Sequence, residues 1–76
     1  MIEYKSALER ARTHKSDINE CTEFENGWVF SNTADADYIG GGHTPVVILK
    51  VDGRAVTMPY FVVHGTGEEL KTFEVK

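Results

Sequence analysis

Along the first fifteen residues, Tyr4, Ala7, Leu8 and Ala11 recur at three- and four-residue intervals, while Lys5, Glu9, Arg10 and Arg12 fall between them. That spacing places the apolar side chains on one face of an α-helix and predicts a helix over residues 3–15. Glu3 near its start, and Arg12, His14 and Lys15 near its end, suit the helix dipole. The polar run Ser16-Asp17-Ile18-Asn19 supplies the stop.

Beyond it the period changes from helical to alternating. Residues 21–32 contain Asn26-Gly27, a strong hairpin signal. A two-residue turn at that pair would set Glu25 against Trp28 and Glu23 against Phe30, placing two carboxylates on the face of the large rings. A three-residue loop over 25–27, with Gly27 left-handed at a bulge, instead pairs Phe24 with Trp28 and Thr22 with Phe30 and turns Glu23 and Val29 away. The bulged register is the expectation. Residues 45–58 predict a second hairpin around Asp52-Gly53, with 51 opposite 54. Val47, Leu49, Val51, Val56 and Met58 then share a core face, and Val46, Ile48, Lys50, Ala55 and Thr57 share the other. That second face is half apolar and suits either a recognition surface or cover by the last segment. Pro59 ends the strand. Residues 60–64 read as a further short strand, Gly65-Thr66-Gly67 as a turn, and 68–76 as a strand in preference to a helical turn. The elements together predict an α+β fold: one N-terminal helix packed on an antiparallel β-sheet of four to five strands, built from two hairpins, in a single domain over residues 1–76.

The chain has 76 residues, 41% of them hydrophobic. A domain of this size removes only roughly 60% of its unfolded surface from water and has few core positions to give up for an enclosed active site. A binding protein is therefore expected rather than an enzyme. The single cysteine, Cys21, excludes an internal disulfide and fits a reducing compartment. Charges interrupt Met1-Ile2-Glu3-Tyr4-Lys5 before any apolar run forms, which is unlike a signal peptide. The longest strictly apolar run, 46–49, is too short to span a bilayer. A soluble cytoplasmic protein with no membrane partner is expected.

Charge sharpens the reading. Residues 16–49 hold six acids (Asp17, Glu20, Glu23, Glu25, Asp35 and Asp37) and no lysine or arginine, whereas residues 1–15 carry a basic excess and 50–76 balance, for a net charge of −4. Charge of one sign speeds encounter with an oppositely charged partner and disfavours phosphate or anionic lipid. The expected partner is a protein with a basic surface, a toxin domain or a nuclease. The alternative is a solvated acidic face that serves only solubility.

The polar loop over residues 33–44 is long for so small a domain, and such loops are often functional. Tyr38 and Ile39 lie between two aspartates and three glycines, suited either to anchoring a partner within an acidic rim or to folding back onto the sheet. Glu23, Glu25, Asp35, Asp37, Tyr38 and Ile39 are the expected partner-binding residues. Asp35 and Asp37 lack the glycine and distal glutamate of a calcium loop. Gly40-Gly41-Gly42 has no following lysine to hold a phosphate. Cys21, His14, His43 and His64 show no compact metal-ligand spacing. Glu23 and Glu25 would need a pocket that raises one pKa to act as acid and base. No metal, cofactor or catalytic residue is expected, and direct nucleic-acid binding is not expected without a basic patch. Carboxylates could instead mimic a phosphate track before a nuclease.

A helix carrying Ala7 and Ala11, the strand Gly27-Trp28-Val29-Phe30, a glycine-rich loop into Pro45-Val46-Val47-Ile48 and an Asp-Gly turn together resemble the YrhB-like family of bacterial immunity proteins (immunity protein 35) over residues 4–58. The resemblance implies an α+β domain, one helix against an antiparallel sheet, that binds and neutralises a cognate toxin domain of a polymorphic toxin system. A phage-borne inhibitor of a host defence nuclease, such as an anti-CRISPR protein, would share this size, acidity and lack of catalytic motifs. A chaperone-like adaptor using the Val46, Ile48 and Thr57 face is a further alternative, and a free sheet edge leaves homodimerisation open.

Overall fold

The apolar stripe of the first segment forms helix α1 (Tyr4–His14) as its spacing predicts, closed by a Lys15 N–H to Ala11 carbonyl bond of 2.9 Å. The computed structural model describes residues 1–33 and 45–75. Asp35, Asp37, Tyr38, Ile39, the three glycines and His43 lie outside the described residues. Ala7 and Ala11 are fully buried, and their short side chains let the helix lie close to the sheet. The Tyr4 ring sits among Trp28, Phe30 and Phe73 at centroid distances of 6.4, 6.0 and 5.2 Å.

Five strands follow: β1 (Glu20–Phe24), β2 (Gly27–Ser31), β3 (Val46–Leu49), β4 (Ala55–Val56) and β5 (Glu69–Glu74), with helix α2 (Met58–His64) between the last two. The spatial order is β4-β3-β2-β1-β5, and every neighbouring pair is antiparallel. The α+β fold expected from the sequence is thus present, with a second short helix added. The last strand returns to the far edge, beside β1.

The first hairpin turns on two residues and not on the expected three. Phe24 pairs with Gly27, Glu23 with Trp28 and Cys21 with Phe30, so Glu25 and Asn26 make the turn and Phe24 lies on the face opposite Trp28. Gly27 is not left-handed. Its missing side chain serves close approach instead: a Cβ there would lie 2.8 Å from the Ile48 carbonyl oxygen and 3.1 Å from the Phe61 ring. Glu23 consequently shares the face of the rings, a placement the charge argument disfavoured, and two lysines compensate for it.

The second hairpin is longer at its turn than expected. Val47 pairs with Val56 and Ile48 with Ala55, and Leu49 N–H donates to the Arg54 carbonyl at 3.0 Å, which leaves residues 50–53 as the loop. The displacement is two residues, so the side chains keep their predicted faces. Val51 moves from the expected core to the surface, 76% exposed. Gly53 at φ 73° closes the loop, and Arg10 of α1 donates to its carbonyl at 3.0 Å, tying helix to hairpin.

Residues 60–64, expected as a strand, belong to α2. Thr57 accepts from Tyr60 N–H as the N-cap and Pro59 sits in the first turn, where its missing N–H costs nothing. These local signals outweigh the strand preference of the adjacent valines. Both sheet faces are therefore covered. Under α1 lie Trp28, Phe30, Ile48 and Cys21; under α2, Val29 and Val47 pack on Phe61, with Phe24 edge-on to that ring at 5.6 Å. The Val46 and Ile48 face is core, covered by α1 and not by the last segment, and Ile48 has no exposed surface to offer a partner.

Candidate protein-binding surface

The turn made by Glu25 and Asn26 would have open backbone donors, and the chain between α2 and β5 meets them. Glu25 N–H donates to the Glu68 carbonyl at 3.0 Å and Asn26 N–H to the Thr66 carbonyl at 3.1 Å. Asn26 Nδ2 donates to the Gly65 carbonyl at 3.1 Å, and Glu68 N–H returns a bond to Glu25 Oε1 at 3.0 Å. This staple gathers Glu25, Glu68 and Glu69 at one end of the sheet, since Glu69 pairs with Phe24. Farther along the same two strands, Glu20 lies opposite Glu74, beside a Thr22–Thr72 hydroxyl contact of 3.2 Å. Among the described residues, no lysine or arginine stands at ion-pairing distance from any of these five carboxylates.

Two other acids of the 16–49 window are neutralised within the chain. Asp17 meets Lys15 at 3.3 Å. Glu23 holds Lys50 at 2.6 Å and Lys71 at 3.8 Å, with the Glu23 and Lys50 side chains only 20% and 12% exposed. The Lys50 ammonium also lies 5.1 Å from the centre of the Trp28 ring. Of the six expected partner-binding residues, the structure thus places Glu25 on a free carboxylate surface and commits Glu23 to an internal network; the other four fall outside the described residues. Sequence reasoning missed Glu68, Glu69 and Glu74. The acidic pair after Gly67 was visible, but counting charge by sequence window ignored the antiparallel return of β5 onto β1.

Cys21 lies buried beside this network. Burial first, and then the nearby Glu23 charge, push its thiol up to about 12, against a smaller opposing pull from Lys71 and Lys50. At neutral pH it is a protonated thiol, unsuited to nucleophilic attack or metal ligation. Among the described residues no three His, Cys, Asp or Glu side chains come together to hold a metal ion, and no helix is long and apolar enough to cross a membrane.

A cleft of about 370 Å³ opens between the β1–β2 turn, the end of β3 and α2. Leu49, Val51, Tyr60 and Phe61 give it apolar walls, and Glu25, Asn26 and His64 contribute polar groups. Tyr60 is held in place from two sides: its hydroxyl accepts from Arg54 at 2.7 Å, and His64 stacks on its ring at 4.1 Å. The outer side of α2 exposes Val62 and, at 80%, Val63.

Compared with known proteins, the chain matches no family model, no curated protein and no solved structure.

Proposed function

We propose that this chain is a small inhibitor of the immunity-protein kind, which neutralises a toxin or nuclease-type enzyme by covering a basic surface with the carboxylates of β1, β5 and the β1–β2 turn. One observation carries the reading: Glu20, Glu25, Glu69 and Glu74 on adjacent strands and their turn, with Glu68 just before β5, have no described cation to balance them, while Glu23 and Asp17 have partners of their own. Unbalanced carboxylates raise the field felt by a basic partner and lose little desolvation energy until it docks. The resemblance to the YrhB-like family points the same way; it implies one helix against an antiparallel sheet, and in this chain α2 covers the other face in addition. A phage-encoded inhibitor of a host defence nuclease would use the same surface and the same physics.

The test is the salt dependence of binding to the partner purified with the tagged chain from its native host. Changing all five glutamates to glutamine should weaken binding at least tenfold at low salt and flatten the dependence on salt. Affinity within twofold of the parent would overturn the electrostatic reading.

Exposed Val62 and Val63 favour a second reading, a chaperone-like adaptor that binds through the outer side of α2. Binding independent of salt but lost on Val63→Glu would select it.

A further inference from the structure

The cleft beside the β1–β2 turn combines features that a flat acidic surface lacks. Its volume of about 370 Å³ falls within the roughly 300–1,000 Å³ typical of sites that enclose a ligand. Its accessible apolar walls, Leu49, Val51 and the Tyr60 ring, suit a hydrocarbon chain. Of the side chains that line it Glu25 alone is an acid, in company with His64 and Met1. Glu25 lines it, with Glu68 bonded behind through its own N–H, whereas Lys50, which also borders the cleft, has its ammonium drawn to Glu23. An anion would meet the Glu25 carboxylate, and a purely apolar group would strip water from that carboxylate without replacing it. A long aliphatic cation satisfies both parts, with its stem against the walls and its charge at the carboxylate.

We propose that this cleft seats one lysine or arginine side chain of the basic partner, its stem along Leu49, Val51 and Tyr60 and its charged head at Glu25. The proposal rests on the preceding reading that the partner is basic, and it names where on this chain that partner is anchored. The lengthened 50–53 loop contributes to the site by carrying Val51 to the cleft.

The probe is n-butylguanidinium, titrated into the labelled full chain and followed by amide chemical shifts, with n-butanol and n-butyrate as controls. Saturable shifts confined to Leu49, Val51, Tyr60, His64 and Gly65 are expected, at least threefold weaker for n-butanol and absent for n-butyrate. Glu25→Gln keeps the acceptor for Glu68 N–H and should erase the preference over n-butanol. Tyr60→Ala, at the exposed rim, should weaken both probes. Absence of saturable shifts, equal response to n-butanol, or an unchanged preference in Glu25→Gln would each overturn the proposal. The two readings fail separately. Partner binding that stays salt-dependent without n-butylguanidinium shifts removes only the cleft, and specific shifts with salt-independent partner binding remove only the electrostatic inhibitor.

Discussion

Lys50 extends from the loop after β3 to place its ammonium 2.6 Å from Oε2 of Glu23, on the sheet face that also carries Trp28 and Cys21. Both side chains are largely withdrawn from water, so each depends on the other. Glu23→Ala should destabilise the fold by about 1–3 kcal/mol, because it leaves the Lys50 ammonium without its acceptor. The double change Glu23→Leu with Lys50→Met should cost less than Glu23→Ala alone, since no charge is then stranded. Lys71, 64% exposed at 3.8 Å, should be worth about 0.5 kcal/mol or less when replaced by alanine. Urea unfolding of the four chains checks the ranking, and an equal cost for Lys71→Ala and Glu23→Ala would contradict it.

Gly27 is the position where the backbone of β2, the Ile48 carbonyl and the Phe61 ring converge. Gly27→Ala should destabilise by about 1–3 kcal/mol through overpacking, despite the usual gain from removing a glycine. The readout is the midpoint of thermal unfolding. A midpoint equal to or above the parent's would show that the Phe61 ring and β3 give way easily.

That same glycine shows what was legible in the chain. The period of α1, the two hairpins and the alternation of faces in β3 and β4 are local patterns, readable from residue spacing. The turn at Glu25 and Asn26 was not, because Asn26-Gly27 favours a turn by local chemistry, whereas contact with Ile48 and Phe61, far along the chain, recruits Gly27 into the strand. Residues 60–64 differ from the expected strand for a related reason: Pro59, which ends a strand, also suits the first turn of a helix, and the Thr57 cap outweighs the strand preference of Val62 and Val63. Of the expected site, Glu25 could be found from its turn. The commitment of Glu23 to Lys50 and Lys71 requires four strands, β3, β2, β1 and β5, to be in place.

Cys21 gives a pH prediction. The unfolded chain loses its thiol proton near a pH of about 8.5, whereas the folded chain keeps it until about 12. Between these values the folded state binds more protons, so stability is fully retained below the unfolded pKa and falls as pH rises, by up to about 1.4 kcal/mol per unit. Burial acts on the Tyr4 phenol in the same direction. Urea midpoints for the parent and Cys21→Ala from pH 8 to 10 should converge as the pH increases. In the same range a thiol reagent should label the native chain at the rate of unfolding and not at the rate of a free thiol, and rapid labelling of folded protein would contradict the burial.

Helix α2 is short, and its attachment can be divided between its cap and its anchor. Thr57 Oγ1 accepts from Tyr60 N–H at 3.3 Å, so Thr57→Ala should cost about 1 kcal/mol and Thr57→Ser much less. Phe61 is 1% exposed and is the side chain through which the helix reaches Val29, Val47 and Phe24. Phe61→Ala should cost about 3–5 kcal/mol and uncover an apolar sheet face, raising the binding of a hydrophobic dye. Val63→Thr, at the exposed side, should change stability by no more than about 0.5 kcal/mol. Amide exchange separates local from global loss: Thr57→Ala should speed exchange in α2 while leaving β1 and β2 protected, because those strands are held by α1 and by each other. Uniform loss of protection would mean that α2 folds as one unit with the sheet, and that Thr57 caps the whole domain and not only its last helix.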